Sequence, residues 1–418
     1  MQAGKKKNMD RMAEVVPDVL SRNLQQFITH SKWNAREVMD HIAQDANKIL
    51  GDPRDGCLII DESGFAKQGN KSVGVARQWL GRYGKVDNGQ VAVYAVLAKG
   101  RHATLIDTRL YLPKEWTEDR ERCLEAGIPE SEIVFRTKDA QAIEMVRHAR
   151  AERLRYGWVG FDAGYGKGPG LLFALDDLEE RCVVDLHSNF RIYMRDPKPH
   201  VSSKAKKSKD GSTIYQTDEM GVEVSKLVES VSAKFWREVT IRDTTRGPLE
   251  LLAYSQVVYV WDGNSERARC MHLLATKMLD GTEIKISLVN RAKGLSLRRL
   301  AFMQRQRYWV ERSFEDGKSE CGMADYQVRK WSAWHHHMAM VMMVMLFMLT
   351  ERVNHADSHP LLSCADIEEL LAKFLPRRDV TEQEVLRQLD VRHQQRQRAI
   401  DSHRRCAKKR KQSHVKLL

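Results

Sequence analysis

The chain has 418 residues, long enough for two or three domains, and its 69 Lys and Arg against 56 Asp and Glu give a net charge of +13. Because the basic excess clusters along the chain, it indicates a polyanionic partner. Seven scattered cysteines without a CxxC pair argue against a disulfide framework or a zinc finger and indicate reduced thiols in the cytosol. The basic N-terminus lacks the apolar stretch of a signal peptide.

Helical and strand-like patterns alternate along the first half of the chain. Residues 1–52 are predicted to be helical. Four strands are predicted next from apolar runs, at 57–61, 73–80, 91–98 and 103–112. A helix at 139–155 precedes two more strands, one ending at Asp162 and the other at 182–186. This alternation predicts an α/β fold with a mixed sheet.

The second half begins with a basic segment at 196–212 that we expect not to pack. Strand-like runs return at 213–289, and a long helical region is predicted at 295–350. Its apolar run at 338–349 falls short of the roughly 20 residues that a bilayer requires, so we predict a buried core helix and no membrane span. Residues 391–418 are rich in Lys and Arg and are predicted to form a solvated basic tail.

Two carboxylates stand where apolar strands are predicted to end. Asp61 follows the run 57–60, and Asp162 follows Phe161 and leads into a glycine-rich stretch. A carboxylate at such an exit lies at the edge of a sheet without being buried in the core. Asp185 also follows two valines and is a rival to Asp162. The glycines after Asp162 favour that residue, because glycine suits a close approach of the backbone to a ligand.

A third carboxylate, Glu311, lies on a segment predicted to be helical. One helix face presents four residues at i, i+4, i+7 and i+11, namely Arg307, Glu311, Phe314 and Lys318. The two cations can contact the phosphates that a bound metal would act on. Three convergent carboxylates repel one another unless divalent cations neutralise them, which predicts hard-metal chemistry with oxygen ligands.

Taken singly, several of these residues have ordinary structural explanations. Asp61 alone is more simply a turn cap, and Glu311 alone is more simply half of a surface ion pair. The histidines at 335–337 point about 100° apart on a helix and do not predict a metal site. The glycine-rich stretch at 164–170 lacks the GK[ST] sequence of a nucleotide loop, so we interpret it as a flexible loop beside the active site. Trp261 keeps two interpretations, stacking on an extruded base or filling the core.

The three carboxylate segments together resemble the DDE transposases of bacterial insertion sequences, in the insertion-sequence four superfamily. That group carries the signature Tyr-x2-Arg-x3-Glu-x6-Lys. Arg307, Glu311 and Lys318 match its last three positions at the same intervals. Gln304 stands at the tyrosine position, and this departure puts in doubt the contact that the family's tyrosine makes.

Other blocks are similar to those of the same group. They lie around the first aspartate at 61–90, in the Val-Trp-Asp sequence at 260–262 and in the Trp-Ser-Ala-Trp-His-His-His sequence at 331–337. The resemblance extends from about residue 10 to 350. Members of the group often carry more sequence ahead of the segment resembling 9–17, so we expect that this chain begins within the N-terminal domain.

The resemblance implies an RNase H-like catalytic core, a mixed sheet with flanking helices, that is interrupted by a β-rich insertion. Helical N- and C-terminal parts would enclose this core. The implied order begins with a helical N-terminal region at 1–52 and the first part of the core at 53–195. The insertion follows at 196–290, and the second part of the core, with the catalytic helix, lies at 291–350. A helical C-terminal region with the basic tail ends the chain at 351–418.

The resemblance also implies DNA transposition by two-metal phosphoryl transfer, with two Mg²⁺ ions, replaceable by Mn²⁺, roughly 3.5–4 Å apart. Asp61 would bridge both ions, and Asp162 and Glu311 would each hold one. Arg307 and Lys318 would contact DNA phosphates. The implied partners are double-stranded DNA, as terminal inverted repeats and as target, and a second copy of the chain. The implied location is the cytoplasm, at the nucleoid.

Two other functions remain open from the sequence. One is an RNase H-like nuclease that cleaves DNA without joining it, since it would use the same carboxylates and metals. The other is a non-catalytic DNA-binding derivative, which the presence of all three carboxylates argues against. The terminal repeat sequence, the target preference and the choice between cut-and-paste and copying are not encoded in any of these patterns, and Gln304 leaves open whether the second strand is cut through a hairpin.

Overall fold

The computed structural model of the protein describes residues 8–202, 207, 211–281 and 283–415. The helices in these residues are α1 (Met9–Val15), α2 (Ser21–His30), α3 (Ala35–Leu50), α4 (Lys114–Thr117), α5 (Arg120–Glu125), α6 (Lys138–Ala151), α7 (Gly170–Asp177), α8 (Val224–Ser230), α9 (Leu297–Arg305), α10 (Tyr308–Ser319), α11 (Trp331–Asn354), α12 (Cys364–Phe374) and α13 (Glu382–Val415).

The strands are β1 (Gly56–Ala66), β2 (Ala76–Leu80), β3 (Lys85–Lys99), β4 (His102–Leu110), β5 (Trp158–Phe161), β6 (Cys182–Asp185), β7 (Arg191–Ile192), β8 (His200–Val201), β9 (Tyr215–Gln216), β10 (Val222–Glu223), β11 (Arg237–Thr244), β12 (Gly247–Val260), β13 (Arg269–Met278) and β14 (Ile284–Val289). The chain therefore folds as a mixed α/β protein.

One mixed sheet of ten strands organises the main part of the chain, in the order β11-β12-β13-β14-β6-β5-β1-β3-β2, with β4 also paired to β3. At its centre β1, β5 and β6 run parallel, and β3 and β14 flank them in the antiparallel direction. Leu58, Val159 and Val184 on the central strands are fully buried. Such continuous apolar runs are typical of parallel strands that are covered on both faces.

Helix α3 shows how the sequence builds the layer next to the sheet. The side chain of Asn34 accepts a hydrogen bond from the Arg36 N–H at 3.0 Å and caps the helix, which contributes about 1 kcal/mol. Met39, Ile42 and Leu50 recur at helical spacing and are buried. Burying a side chain of this size contributes about 1.5–3 kcal/mol, so this face holds the helix in place.

Three predicted segments differ from the structure in their bounds. β1 continues past Asp61 to Ala66, because its whole length pairs with the long neighbouring strand β3. The strand predicted at 73–80 begins only at Ala76. The helical region predicted at 295–350 is divided into α9, α10 and α11, because turns interrupt the helical hydrogen bonding.

The strands of the predicted insertion join the central sheet, since β14 pairs antiparallel with β6. Within the predicted basic segment at 196–212, His200–Val201 forms strand β8 and pairs with β9. Residues 203–206 and 208–210 of that segment lie outside the described residues. The predicted basic tail is helical as far as Val415, in α13.

The chain divides into two compact units. The larger contains Ile28–Ile367 and the whole sheet, and the smaller joins Met1–Phe27 to Glu368–Leu418. Within the smaller unit, Arg392 Nη2 lies 2.9 Å from Glu14 Oε2 and ties α13 to α1. The domain boundaries inferred from the sequence stay predictions.

Helix α11 is long and apolar enough, by length and composition alone, to cross a membrane. However, 56% of its most apolar window is buried inside the protein, and a helix of this kind is weak evidence for a membrane span. It packs against α3 and β4, and Trp334, Met338 and Met342 are among its buried side chains. This packing agrees with the core helix predicted from the sequence.

Candidate active site

The first two carboxylates are brought together by the register of two parallel strands. β1 and β5 pair as far as Ile60 opposite Phe161, and Asp61 and Asp162 are the next residues on each side. Neighbouring strands lie about 4.8 Å apart, and equivalent positions face the same side of the sheet. Asp61 is therefore placed beside Asp162 where β5 ends, although β1 itself continues.

Glu311 reaches the same place from the first turn of α10. It lines a cavity of ≈ 620 Å³ together with Asp61 and Asp162. The full lining is Asp61, Glu62, Ser63, Gly64, Trp79, Gly81, Arg82, Asp162, Glu311, Phe314, Glu315, Lys318 and Ser319. The structure thus gathers the three predicted carboxylates, which are far apart in the sequence, around one cavity.

Arg307 lies among three carboxylates, two of which line the cavity. Its Nη2 is 2.9 Å from Glu311 Oε1, and its Nη1 is 3.6 Å from Asp61 Oδ2. Its Nε donates to Asp185 Oδ2 at 3.1 Å. Burial opposes the charge of the guanidinium, but the carboxylates around it raise the pKa of Arg307 above its usual value. Asp185, which the sequence offered only as a rival to Asp162, is therefore part of the same cluster.

The donor set suits a hard divalent cation. Burial, and then the charge of Asp162, raise the pKa of Asp61 to about 8, although Arg307 opposes this shift. A carboxylate in this position is stabilised by additional positive charge, and a cluster that offers only carboxylate oxygens matches the ligand preference of Mg²⁺ and Mn²⁺. The residues that could hold such ions are Asp61, Asp162 and Glu311.

Lys318 forms the cationic wall of the cavity together with Arg82. Burial, and then the neighbouring charge of Arg82, lower the pKa of Lys318 to about 8. The Lys318 Nζ lies 5.6 Å from the ring centre of Phe65 and 5.4 Å from that of Phe314. Two like charges that face one cavity repel each other, and an anion between them would relieve that repulsion.

Trp261 does not share the cavity with the carboxylates. Its indole N–H donates to the Ser265 carbonyl oxygen at 2.8 Å, and its ring packs edge-on against Tyr193. Trp79 does line the cavity, and 53% of it is exposed. Among the described residues, Trp79 is therefore the tryptophan that lies beside the carboxylates.

The other motifs from the sequence have structural roles. His335 and His336 contact different backbone carbonyls, those of Trp331 and of Ile28 and Trp33, so they do not converge on one point. In the glycine-rich loop, the Gly164 N–H donates to Asp162 Oδ1 at 2.9 Å. Gly166 packs so closely on the Asp185 carbonyl that a Cβ would overlap the oxygen.

A second group of potential metal ligands lies on α3 and α6. Asp40, His148 and Glu152 have ligand atoms close to one another. The Asp40 carboxylate is already paired with Arg36 at 2.9 Å and with His148 Nε2 at 2.8 Å. Gln44 donates to Glu152 Oε2 at 3.1 Å. Protein partners satisfy these groups, so this cluster is explained without an ion.

Trp79 and Arg82 were not predicted from the sequence as cavity residues, and neither was the contact between Asp185 and Arg307. Asp185 did carry a signal, since it follows the buried valines of β6 as Asp162 follows β5. Trp79 and Arg82 lie at the end of β2 and in the short 3₁₀ turn after it. No spacing in the sequence relates that turn to α10.

Comparison with known families gives a match over residues 1–248, to the family described as DDE superfamily endonuclease. The match includes Asp61 and Asp162 and ends before Glu311.

A protein named probable transposase for insertion sequence element IS701, from Microchaete diplosiphon, is 30% identical over 200 residues, which are 47% of this chain and 48% of the relative. The aligned part thus spans about half the length of that relative. Among solved structures, the NurA nuclease from Sulfolobus solfataricus aligns over 80% of this chain and 97% of that chain, at 8% identity and a TM-score of 0.26. A TM-score this low does not show a shared fold.

Proposed function

The chain belongs to the DDE superfamily endonuclease family, and on this premise we propose that it is a DNA transposase of an insertion sequence. It cleaves DNA at the ends of the element in a metal-dependent reaction and joins the freed 3′-OH to target DNA. The observation that carries the proposal is that Asp61, Asp162 and Glu311 line one cavity. The protein named as a transposase that shares 30% identity with this chain supports the same assignment.

In this proposal, Asp61, Asp162 and Glu311 would hold two Mg²⁺ ions, and Asp61 would contribute a ligand to both. Mn²⁺ is expected to substitute, since it takes the same oxygen ligands. The chemistry that such ions supply is activation of the attacking oxygen and stabilisation of the leaving oxygen. Arg307 Nη1 lies 3.6 Å from Asp61 Oδ2 and its Nη2 lies 2.9 Å from Glu311 Oε1, so the guanidinium contacts both of these proposed ligands.

Lys318 and Arg82 are proposed to bind a DNA phosphate. Both line the carboxylate cavity, and each repels the other until an anion lies between them. The sequence predicted Lys318 and Arg307 as phosphate contacts. Arg307 is more enclosed, because only 17% of its side chain is exposed and carboxylates surround it. We therefore assign the larger phosphate contribution to Lys318 and Arg82.

Trp79 is proposed to stack on a nucleobase at the end of the bound DNA. Its ring is half-exposed at the cavity, and an aromatic face can stack on any base. Trp261, the candidate from the sequence, donates its indole N–H to Ser265 in the loop after β12, and its ring contacts that of Tyr193. That packing favours its structural interpretation.

The remaining features of the proposal follow the family. The partners are double-stranded DNA, as terminal inverted repeats and as target, and a second copy of the chain that holds the other end. The basic helix α13 would add salt-dependent phosphate contacts without sequence readout. The proposed location is the cytoplasm, at the nucleoid. The core around β1, β5, β6 and α10 is assigned to the RNase H-like class, with the β-rich insertion between Asp162 and Glu311.

Strand transfer tests this function. A labelled duplex that carries the element's terminal repeat, pre-cut to expose its 3′-OH, is incubated with supercoiled plasmid and Mg²⁺. We expect the label to join the plasmid, and a matched duplex with a 3′-deoxy end to remain unjoined. Cleavage of uncut ends without any joining would identify a nuclease instead. Binding of the duplex without any chemistry would identify a non-catalytic DNA-binding protein.

The phosphate subsite gives a separate prediction. Arg82→Gln and Lys318→Gln are each expected to reduce the slope of log affinity against log salt by about 1, because each removes one phosphate contact. The slope is measured from the anisotropy of a labelled terminal duplex between low and moderate salt. Arg120→Gln is the matched control, because Arg120 is exposed and paired with Glu130 at 2.7 Å, outside the cavity. Unchanged slopes in both cavity variants would place the DNA elsewhere.

A further inference from the structure

Asp185 gives Arg307 a third anchor that is separate from the proposed metal ligands. Arg307 uses Nη1 and Nη2 toward Asp61 and Glu311, and it uses Nε toward Asp185. Asp185 lies at the end of β6, and only 14% of its side chain is exposed. It does not line the carboxylate cavity. The arginine therefore contacts two of the proposed metal ligands and one carboxylate that lies outside the cavity lining.

A chain of buried hydrogen bonds ends at Oδ1 of Asp185, whereas Arg307 contacts the other carboxylate oxygen, Oδ2. The Ser287 hydroxyl donates to Asp185 Oδ1 at 2.6 Å. The Gln304 side-chain N–H donates to the Ser287 oxygen, also at 2.6 Å. The Thr276 hydroxyl donates to Gln304 Oε1 at 2.5 Å, and Arg305 Nη2 donates to Thr276 at 3.0 Å.

The four hydrogen bonds from Arg305 through Thr276, Gln304 and Ser287 to Asp185 form a relay. The carboxylate of Asp185 at the end of this relay fixes the direction of each bond. An ionised carboxylate only accepts hydrogen bonds, so the single hydroxyl proton of Ser287 points to Asp185. The Ser287 oxygen then has to accept from the amide nitrogen of Gln304, which turns the amide oxygen toward Thr276. Each donor points toward Asp185, and bonds aligned in this way reinforce one another in a buried setting.

The relay lies on rigid elements in the interior. Thr276 on β13 and Ser287 on β14 are both fully buried, and Gln304 on α9 is 2% exposed. Burying several polar groups is unfavourable unless each one is paired, and here each has a partner in line with the next. Because Thr276, Ser287 and Gln304 are each hydrogen-bonded to the next residue in the relay, the network fixes the position of the carboxylate at its end.

We propose that Asp185, oriented by Ser287 and Gln304, is a positioning residue for Arg307. Its ion pair with the guanidinium keeps the charge of Arg307 paired when Asp61 and Glu311 exchange their contacts with Arg307 for contacts with a metal ion. This inference rests on the proposed function, because it takes those two carboxylates as metal ligands. When the arginine loses Asp61 and Glu311 as partners, Asp185 remains and keeps its charge paired. Without Asp185, the arginine keeps both metal ligands as its own ion-pair partners and competes with the metal.

Gln304 is suited to this role by its chemistry. A side-chain amide carries both a donor and an acceptor at its tip, so it can accept from Thr276 and donate to Ser287 at once. A tyrosine hydroxyl can also donate and accept, but it stands at the end of a longer, rigid ring and not at the position of the amide. Gln304, which departs from the tyrosine of the Tyr-Arg-Glu-Lys signature, thus has two hydrogen-bond partners that suit an amide, Thr276 on β13 and Ser287 on β14.

A double-mutant cycle on Mn²⁺ binding tests the inference without any DNA. Binding to the full chain is followed by loss of the free Mn²⁺ signal in electron paramagnetic resonance. We expect Asp185→Asn to weaken binding about tenfold in the otherwise native chain, and less than about twofold when Arg307→Gln is also present. An equal weakening in both backgrounds would mean that Asp185 acts through its own charge or through general stability, and would overturn the inference.

A milder variant covers the case in which Asp185→Asn fails to fold. Gln304→Met keeps the size of the side chain and removes both hydrogen bonds of its amide. We expect it to weaken Mn²⁺ binding about threefold, again only while Arg307 is present. Equal factors in the two Arg307 backgrounds, or a lower melting temperature without any change in Mn²⁺ affinity, would contradict the relay. If the unmodified chain binds no Mn²⁺, the metal site of the proposed function fails, and the inference fails with it.

Discussion

Replacing any one of Asp61, Asp162 and Glu311 by its amide is expected to lower the rate of DNA cleavage by about 10³-fold or more. The physical reason is that an amide keeps the shape of the side chain and loses the charge that binds a divalent cation. Several kcal/mol of transition-state stabilisation depend on that cation. The variants are Asp61→Asn, Asp162→Asn and Glu311→Gln, measured as cleavage of a labelled terminal duplex in Mg²⁺.

The control for this series is Glu369→Gln on α12. Glu369 is an exposed helical glutamate that, like Glu311, forms an i,i+4 ion pair with a basic residue, and it lies outside the cavity lining. It should cleave at the native rate. All four variants should still bind the duplex and show native circular dichroism. Near-native cleavage in any of the three cavity variants would remove that residue from the active site.

The metal-free protein is expected to lose stability as the pH rises from about 4 to about 8, and Asp61→Asn should remove much of that loss. Asp61 has an ordinary pKa of 3.8 that burial and Asp162 raise to about 8 in the fold. Between these values the folded state keeps a proton that the unfolded state has released, so a higher pH favours unfolding. The effect is at most about 1.4 kcal/mol per pH unit.

Denaturant unfolding in a chelator, at several pH values, measures this effect. Below about pH 4 the folded and the unfolded state both hold the proton of Asp61. Plots of the free energy of unfolding against pH for wild type and Asp61→Asn should therefore become parallel there. Asp177→Asn, at an exposed aspartate on α7, is the control and should follow the wild type. Added Mg²⁺ should stabilise the wild type near pH 8 and leave Asp61→Asn unchanged. Parallel curves over the whole range would show that Asp61 is not held in a strongly unfavourable charged state.

Local patterns were sufficient for the elements that carry the carboxylates. The apolar runs before Asp61 and Asp162 predicted two strands buried on both faces, and the structure contains both as parallel neighbours. The i,i+4 spacing of Arg307 and Glu311 predicted neighbours on one helix face, and the two side chains form an ion pair. The predicted DDE family is confirmed by the match over residues 1–248. The assignment of Glu311 rests on spacing and geometry, since it lies beyond that match.

Contacts between distant segments could not be predicted in this way. Asp185 meets Ser287 and Arg307 across more than 100 residues of sequence, and no period in the chain encodes that approach. The pairing of β14 with β6, which joins the predicted insertion to the sheet, also depends on tertiary packing. Arg82 belongs to a short turn whose position beside Lys318 is set by β2 and β3.

Iron-directed cleavage of the protein backbone tests most directly whether the three carboxylates form one metal site. Fe²⁺ replaces Mg²⁺, and ascorbate with peroxide generates hydroxyl radicals that cut the chain next to the bound ion, with the cuts mapped by mass spectrometry. The account predicts cuts near all three of Asp61, Asp162 and Glu311, suppressed by excess Mg²⁺ and lost in Asp61→Asn. Cuts confined to the neighbourhood of Asp40 and His148, or cuts near only one of the three carboxylates, would contradict it.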